Sequence, residues 1–337
     1  MRIRLRDVAE RTGVSEATVS RVMNDKPGVN HHTRAMVLQT LAELGYDAPV
    51  RRRQPPRAGL VGLLVPELDN PVFPAYAQTI ETLLATAGYT AVLCCATRAG
   101  VQEADYIEML LERGVSGIVV VSGVHADSEA DHSLYDAILD KGVPLVLVNG
   151  YAPDIAAPFV SCDDRHAVQI AVQHLSSLGH RRIGFLAGPR RYVPVVRKLD
   201  AFEEAMTACG HPVGPELFAE TVFTVEGGHA GARRLFDAGV SGIVAASDLM
   251  ALGAIRAARD EGLPVPADVS VVGFDDTPLM AYTDPPLTTV RQPVRAIADH
   301  ATRVLLESIA GRSADEHEYV IRPELVVRAS TGPAPAS

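Results

Sequence analysis

Only four cysteines, Cys94, Cys95, Cys162 and Cys209, occur in 337 residues, with no CxxC pair and no metal-ligand spacing to histidine. A disulfide framework is thereby excluded and no zinc site is indicated. Three of the four lie in or beside apolar runs, as core thiols do. Long apolar stretches are also missing: the longest, Gly117–Val121 and Val143–Val148, fall far below the ~20 residues that cross a bilayer, so no membrane span is expected. The first twenty residues carry Arg2, Arg4, Arg6, Asp7, Glu10 and Arg11 and lack the apolar core of a secretory signal. The expected compartment is a reducing cytoplasm. No GxxxxGK[ST] phosphate loop, GxGxxG fingerprint or GxSxG elbow occurs, which removes the commonest nucleotide-dependent and hydrolytic enzymes on α/β folds.

What is present is a soluble globular balance, 47% apolar and 21% charged, and enough chain for two or three domains. The net charge of −10 is unevenly spread. Residues 1–59 hold 11 Lys/Arg against 6 Asp/Glu, and residues 60–337 hold 20 against 35. A basic head on an acidic body points to nucleic acid as the partner of the head.

The body repeats itself. Gly114–Ser122 (GVSGIVVVS) returns 125 residues later as Gly239–Ser247 (GVSGIVAAS), and Val61–Pro66 (VGLLVP) is echoed by Ile183–Pro189 (IGFLAGP). Short continuous apolar runs alternate with helical patterns such as Ile80–Ala87, Ala167–Leu178 and Leu249–Ala258. Such runs suit parallel strands covered on both faces, so two doubly wound α/β lobes are expected. Sheets of this kind bind ligands at the carboxyl ends of their strands, which singles out Asn70, Asn149, Asp163, Ser247 and Asp275. Asp248, just before an apolar helical run, reads as an ordinary helix cap. Residues 47–59 (DAPVRRRQPPRAG) form a Pro/Arg-rich linker, and the tail 331–337 has no core-forming side chain and is expected to be disordered.

At the N-terminus, Leu5–Asn24 (LRDVAERTGVSEATVSRVMN) has the spacing of a helix-turn-helix. Small Ala9 suits a helix crossing, Gly13 a turn, and Ser15 a cap on the second helix. Val8, Val14, Val19 and Val22 recur at helical intervals, which leaves Glu16, Ala17, Ser20 and Arg21 facing outward on a helix suited to the major groove. A third helical segment spans Thr33–Leu44.

These motifs, with Thr33–Tyr46, Val65–Phe73 (VPELDNPVF), Ser247–Asp276 and Asp284–Pro293 (DPPLTTVRQP), make the sequence resemble bacterial transcriptional regulators of the lactose-repressor (LacI/GalR) family over almost its whole length. The resemblance implies a helix-turn-helix head at 1–46, a hinge at 47–59, and two lobes like those of periplasmic sugar-binding proteins. The lobes are then discontinuous, 60–161 with 292–319 and 162–291 with 320–330. By position, Glu16, Ala17 and Arg21 occupy base-reading places, with Arg21 suited to guanine and the Ala17 methyl to thymine. Glu16 either accepts from a cytosine amino group or stabilises the helix N-terminus. Ser15, Thr18, Ser20, Asn24 and Thr33 suit phosphate contacts.

For the small-molecule effector the resemblance points to Asn70, Phe73, Asn149, Asp163, Ser247 and Asp275, with either Arg197 or Lys198 where relatives carry a clamping Arg. A sugar-like ligand, double-stranded operator DNA and a second copy of the chain are the expected partners, with no cofactor and no metal. The hinge departs from the family in having no Leu between Asp47 and Gly59, while Arg51, Arg52 and Arg53 offer phosphate or minor-groove contacts. Two other readings compete: an enzyme using the acidic pairs Asp163–Asp164 and Asp275–Asp276, or an exported solute-binding protein. The first lacks a supporting motif, and the second does not explain the helix-turn-helix.

Overall fold

In a computed structural model the described residues are 5–23, 29, 31–43, 59–97, 100–312 and 317–335. They form two compact units, residues 1–56 and 57–337. The first unit has helices α1 (Leu5–Thr12), α2 (Glu16–Met23) and α3 (His31–Glu43). Val8, Ala9, Val19, Val22, Val37 and Leu41 close its core, with Val14 and Val29 packed against it. Gly13 turns between α1 and α2 at φ +68°, a conformation that costs a residue with a Cβ.

The second unit carries two sheets of six strands each. The chain lays down β1 (Gly59–Val65), α4 (Val72–Thr86), β2 (Tyr89–Cys95), α5 (Glu103–Glu112), β3 (Gly117–Val121), α6 (Asp136–Asp140), β4 (Leu145–Val148) and β5 (Phe159–Cys162). It then enters the second lobe with α7 (Asp164–Ser177), β6 (Ile183–Ala187), α8 (Val193–Ala208), β7 (Phe218–Glu220), α9 (Val225–Asp237) and β8 (Gly242–Ala245). There follow α10 (Asp248–Asp260), β9 (Ser270–Asp275) and β10 (Thr288–Arg291). Next, α11 (Val294–Ile309) and β11 (Glu318–Ile321) return to the first lobe, and β12 (Glu324–Val326) to the second.

The sheet orders, β11-β5-β4-β3-β1-β2 and β12-β10-β9-β8-β6-β7, are the same pattern twice. The repeated sequences fall on equivalent strands, β1 with β6 and β3 with β8. Every residue of β3, β4, β5, β6, β8 and β9 is buried, as parallel strands covered on both faces require. One apolar core runs through both lobes, and a second fills the other face of the first sheet around Leu64, Leu110, Tyr135 and Phe159.

Three expected boundaries shift. Gly59 belongs to β1, opposite Tyr89, rather than to the linker. Cys162 still pairs in the first sheet, opposite Ile321, so the first crossing between lobes follows Cys162 and the last follows Ile321, not Tyr319. The tail expected to be disordered is held as far as its described residues go. Gly332 donates to Ser270 Oγ at 3.0 Å, its carbonyl meets buried His180 Nε2 at 3.1 Å, and the Ala334 amide donates to the Leu178 carbonyl at 2.8 Å. Backbone bonds anchor this stretch without any large apolar side chain, which is why composition alone misreads it.

Candidate functional site

In the head, the Ser15 hydroxyl accepts from the Thr18 amide at 3.2 Å and its carbonyl accepts from the amides of Thr18 and Val19, which starts α2. With Val19 and Val22 facing the core, Glu16, Ala17 and Arg21 are exposed and Thr18 and Ser20 half-buried. Thr33 lies half-buried on α3. One exposed helical face thus presents Glu16, Ala17 and Arg21 together. Asn24 and the hinge arginines Arg51, Arg52 and Arg53 lie outside the described residues.

In the body, four non-glycine residues have left-handed or related positive φ among the described residues: Ser122 (49°), Asn149 (62°), Asp275 (127°) and Asp276 (55°). All four follow or end a strand: β3, β4 or β9. Strain of this kind persists where surrounding contacts over-determine it, and it gathers at ligand sites. The end of β9 borders a cavity of about 380 Å³ between the lobes, lined by Val72 and Ala75 of α4, Asp275 to Pro278, Gln292 and Arg295.

Asp275 is the centre of this arrangement. It is 5% exposed, and its Oδ1 accepts from Gln292 Nε2 at 2.6 Å, while Gln292 Oε1 accepts from the Tyr76 hydroxyl at 3.0 Å. Its Oδ2 is buried with no hydrogen-bond partner. Burial, reinforced by the nearby Asp248, pushes the Asp275 carboxyl well above the usual range, against the pull of Gln292, Lys198 and Asn70. Asn70, itself buried, accepts from the Val72 amide at 3.3 Å. Phe73 is half-buried against the core, and Asn149 donates to Ser122 Oγ at 3.3 Å.

The two basic candidates are both engaged. Arg197 makes a fork to Glu318 of β11, at 2.7 and 2.9 Å, and so joins the second lobe to the first. Lys198 is the one turned inward: its ammonium pairs with buried Asp164 and lies 4.2 Å from the centroid of the Phe274 ring. Burial raises the Asp164 carboxyl and Lys198 opposes it. Asp163, by contrast, caps α7 by accepting from the His166 amide at 2.9 Å. Of the acidic pair noted in the sequence, the second member is the one placed with the interior charges.

Ser247 is the cap of α10, accepting from the Met250 amide at 3.3 Å, which corrects the reading of Asp248 as that cap. Asp248 instead accepts from the Thr277 amide at 3.0 Å and the Thr289 hydroxyl at 2.6 Å, and so ties the loop after β9 to the sheet. Burial pushes its carboxyl up to about 7, with Asp276 adding repulsion. A raised folded pKa favours the native state below the unfolded range and loses that contribution as pH rises through about 7. Asp248 should therefore stabilise the body more at pH 6 than at pH 8, a difference opposed by histidines that burial keeps neutral, His125 foremost. Asp248→Asn, which imitates the neutral acid, should flatten that difference in a calorimetric scan, and an unchanged pH response would remove Asp248 as its source.

Sequence reasoning did not single out Tyr76, Asp164, Gln292 or Glu318 for these contacts, because their partners lie between 17 and 216 positions away. Among the described residues no group of three or more His, Cys, Asp or Glu is placed to hold a metal ion, and no helix is long and apolar enough to cross a membrane.

Comparison with known proteins agrees with the geometry. Residues 4–48 match the profile of bacterial regulatory proteins of the lacI family, and residues 172–331 match a periplasmic binding protein-like domain. The chain is 54% identical to the HTH-type transcriptional regulator MalR of Streptomyces coelicolor, across 99% of this chain and 98% of that one. A solved complex of the transcriptional regulator CelR with cellobiose superposes with a TM-score of 0.74 at 32% identity, covering 98% of this chain and all 100% of the other. The lac repressor dimer bound to operator and the anti-inducer ONPF does so with a TM-score of 0.71 at 28% identity, with the same coverage. The chain belongs to the LacI family of bacterial regulatory proteins and is a DNA-binding transcriptional regulator with a periplasmic-binding-protein-like body.

Proposed function

We propose that the chain represses transcription from the cytoplasm as a homodimer on a pseudo-palindromic operator, and that an uncharged, hydroxyl-rich sugar bound between the lobes switches its grip. The observation that carries the effector reading is the buried Asp275 Oδ2, which lacks a partner at the edge of an interlobe cavity. A carboxyl oxygen there can pair with ligand hydroxyls, as acceptor or, when protonated, as donor, and Asn70, Asn149 and Gln292 supply further amides. Half-buried Phe73 offers a face for the less polar side of the ring.

The charge balance favours an uncharged ligand. Arg197 and Lys198 are each paired with a carboxylate, whereas Asp275 has no cation paired directly with it. The one cation among the residues lining the cavity, Arg295, is exposed, so an anionic ligand would find no buried counter-charge there. The cellobiose in the related CelR complex is a ligand of this neutral class. Thermal shift with neutral disaccharides, cellobiose among them, and with sugar phosphates tests the reading, since a ligand of the folded state raises Tm. Stabilisation by a sugar phosphate alone would contradict it.

The reading as a binding protein rather than an enzyme draws support from the acidic pairs. Asp163 caps a helix, Asp164 holds Lys198, and Asp276 pairs with Arg291 and Arg328 at 2.6 Å each. Exposed Leu93, Leu279 and Tyr282 offer apolar surface for a second copy, and two recognition helices are needed to read two half-sites about one helical turn apart.

On DNA, Arg21 and Ala17 read bases, Glu16 borders them, and Ser15, Thr18, Ser20, Asn24 and Thr33 meet phosphates along with Arg51, Arg52 and Arg53. Arg21→Ala should cost about 1–3 kcal/mol and relax selectivity at one base pair, read by anisotropy with single-base operator variants. Equal affinity and equal selectivity would show that α2 is not the reading helix.

A further inference from the structure

Away from the cavity, three titratable side chains of the first lobe are buried together and face the turn that carries Asn149. Glu103, at the start of α5, is 6% exposed, and Tyr135 and His125 are fully buried. The Tyr135 oxygen lies 2.5 Å from Glu103 Oε1 and 3.3 Å from His125 Nδ1, and it accepts from the His125 backbone amide at 3.0 Å. His125 Nε2 lies 3.2 and 3.1 Å from the carbonyl oxygens of Val148 and Asn149. Glu103 Oε2 accepts from the Val124 amide at 2.9 Å, and a Cβ on Gly123 would come within 2.5 Å of that oxygen, so the turn has room for the carboxyl only because glycine stands there.

The donors and acceptors fix the proton count. Carbonyl oxygens only accept, so His125 Nε2 carries a hydrogen. In a neutral ring Nδ1 is then an acceptor and needs the phenol hydrogen, so Glu103 must donate to the Tyr135 oxygen as a carboxylic acid. The alternative is a Glu103 carboxylate accepting from Tyr135, with an imidazolium Nδ1 donating to the same oxygen. Both arrangements hold one proton beyond those on the phenol and Nε2. A carboxylate beside a neutral His125 would leave a buried ring nitrogen facing an oxygen lone pair, which is costly away from water.

We propose that Glu103, Tyr135 and His125 share this one proton, and that the chain they form is a positioning device that holds Asn149 in its left-handed turn at the carboxyl end of β4. The link to the effector rests on the reading of the interlobe cleft given above. Burial favours the uncharged arrangement: it raises the Glu103 carboxyl and lowers His125 to about 4. The neighbouring ionisable groups are His132, which engages Asp154 at 2.9 Å and the Asp127 carbonyl at 3.1 Å, and the Asp127–Arg191 pair at 3.2 Å. Gly150, next along the turn, packs so closely on Ala126 that a Cβ would fall 2.8 Å from the Ala126 Cβ, so movement of the His125 turn is felt at Asn149.

The test is NMR of the full-length protein without any ligand, with 15N-labelled His and Asn and 13C-labelled Glu carboxyl groups at pH 7. The expected signature is a Glu103 carboxyl in its acid form beside a neutral His125 protonated on Nε2, or else a carboxylate beside an imidazolium. A carboxylate beside neutral His125 overturns the shared proton. Glu103→Gln, whose amide donates to Tyr135 while its oxygen accepts from Val124, should leave exchange of the Asn149 amide unchanged, whereas Tyr135→Phe should speed it about tenfold. Equal exchange in all three proteins overturns the positioning role, as does Glu103→Gln behaving like Tyr135→Phe while its Tm matches that of the parent. These readings need no effector, so the failure of either claim is visible without the other.

Discussion

Truncating Lys198 to alanine is expected to destabilise the body by about 3–5 kcal/mol, because it leaves the Asp164 carboxylate buried without its partner. Both side chains are at least nine-tenths buried, so solvent offers little compensation. Loss of the contact over Phe274 adds to the cost. Exchanging the whole pair for apolar residues of similar size, Lys198→Met with Asp164→Leu, should recover most of it, since the penalty comes from an orphaned charge rather than from a lost attraction. Urea unfolding followed by circular dichroism separates the two. A single variant that loses less than about 1 kcal/mol would show that the pair is not sequestered as described.

Asp275→Ala should weaken effector binding by roughly 5- to 150-fold, since ligand hydroxyls left in a buried site without their partner cost about 1–3 kcal/mol. The effect is separable from folding because Asp275→Asn keeps the acceptor for Gln292 and the shape of the side chain, yet replaces the unpartnered oxygen with a donor. Asn also tolerates positive φ better than Ala does, and φ is 127° here. Asp275→Asn should therefore fold at least as well as Asp275→Ala and still bind poorly. Undiminished affinity in a folded Asp275→Ala protein, measured by calorimetry, would remove Asp275 from the site.

Much of this architecture is legible before any coordinates. The GVSGIV repeat falls on β3 and β8, neighbours of β1 and β6 in two sheets of one topology, so the duplicated lobe is written in strands whose every residue is buried. The helix-turn-helix is equally plain, because short-range spacing alone sets Gly13, the Ser15 cap and the valine core. The wiring of the cleft is less so. Whether Asp163 or Asp164 faces the interior depends on which residue caps α7, and the same choice between neighbours separates Ser247 from Asp248 at α10. Arg197 and Lys198 are adjacent, yet one reaches across the lobes to Glu318 and the other turns inward to Asp164. Helical rotation of one residue decides each case, and partners far away in sequence supply the reason. Gln292 is visible in the sequence only as a place where the chain changes lobes, and its link from Tyr76 to Asp275 exists only in three dimensions.

The proposed switch depends on coupling between the cleft and the DNA-binding head, and coupling is reciprocal: a ligand that changes operator affinity must have its own affinity changed by the operator by the same factor. Calorimetric titration of the stabilising disaccharide into the full-length protein, with and without saturating operator, measures this directly. The prediction is a change in ligand Kd of about 5- to 150-fold, corresponding to about 1–3 kcal/mol, matched by the shift in operator Kd at saturating ligand. Identical ligand affinity with and without operator would contradict it.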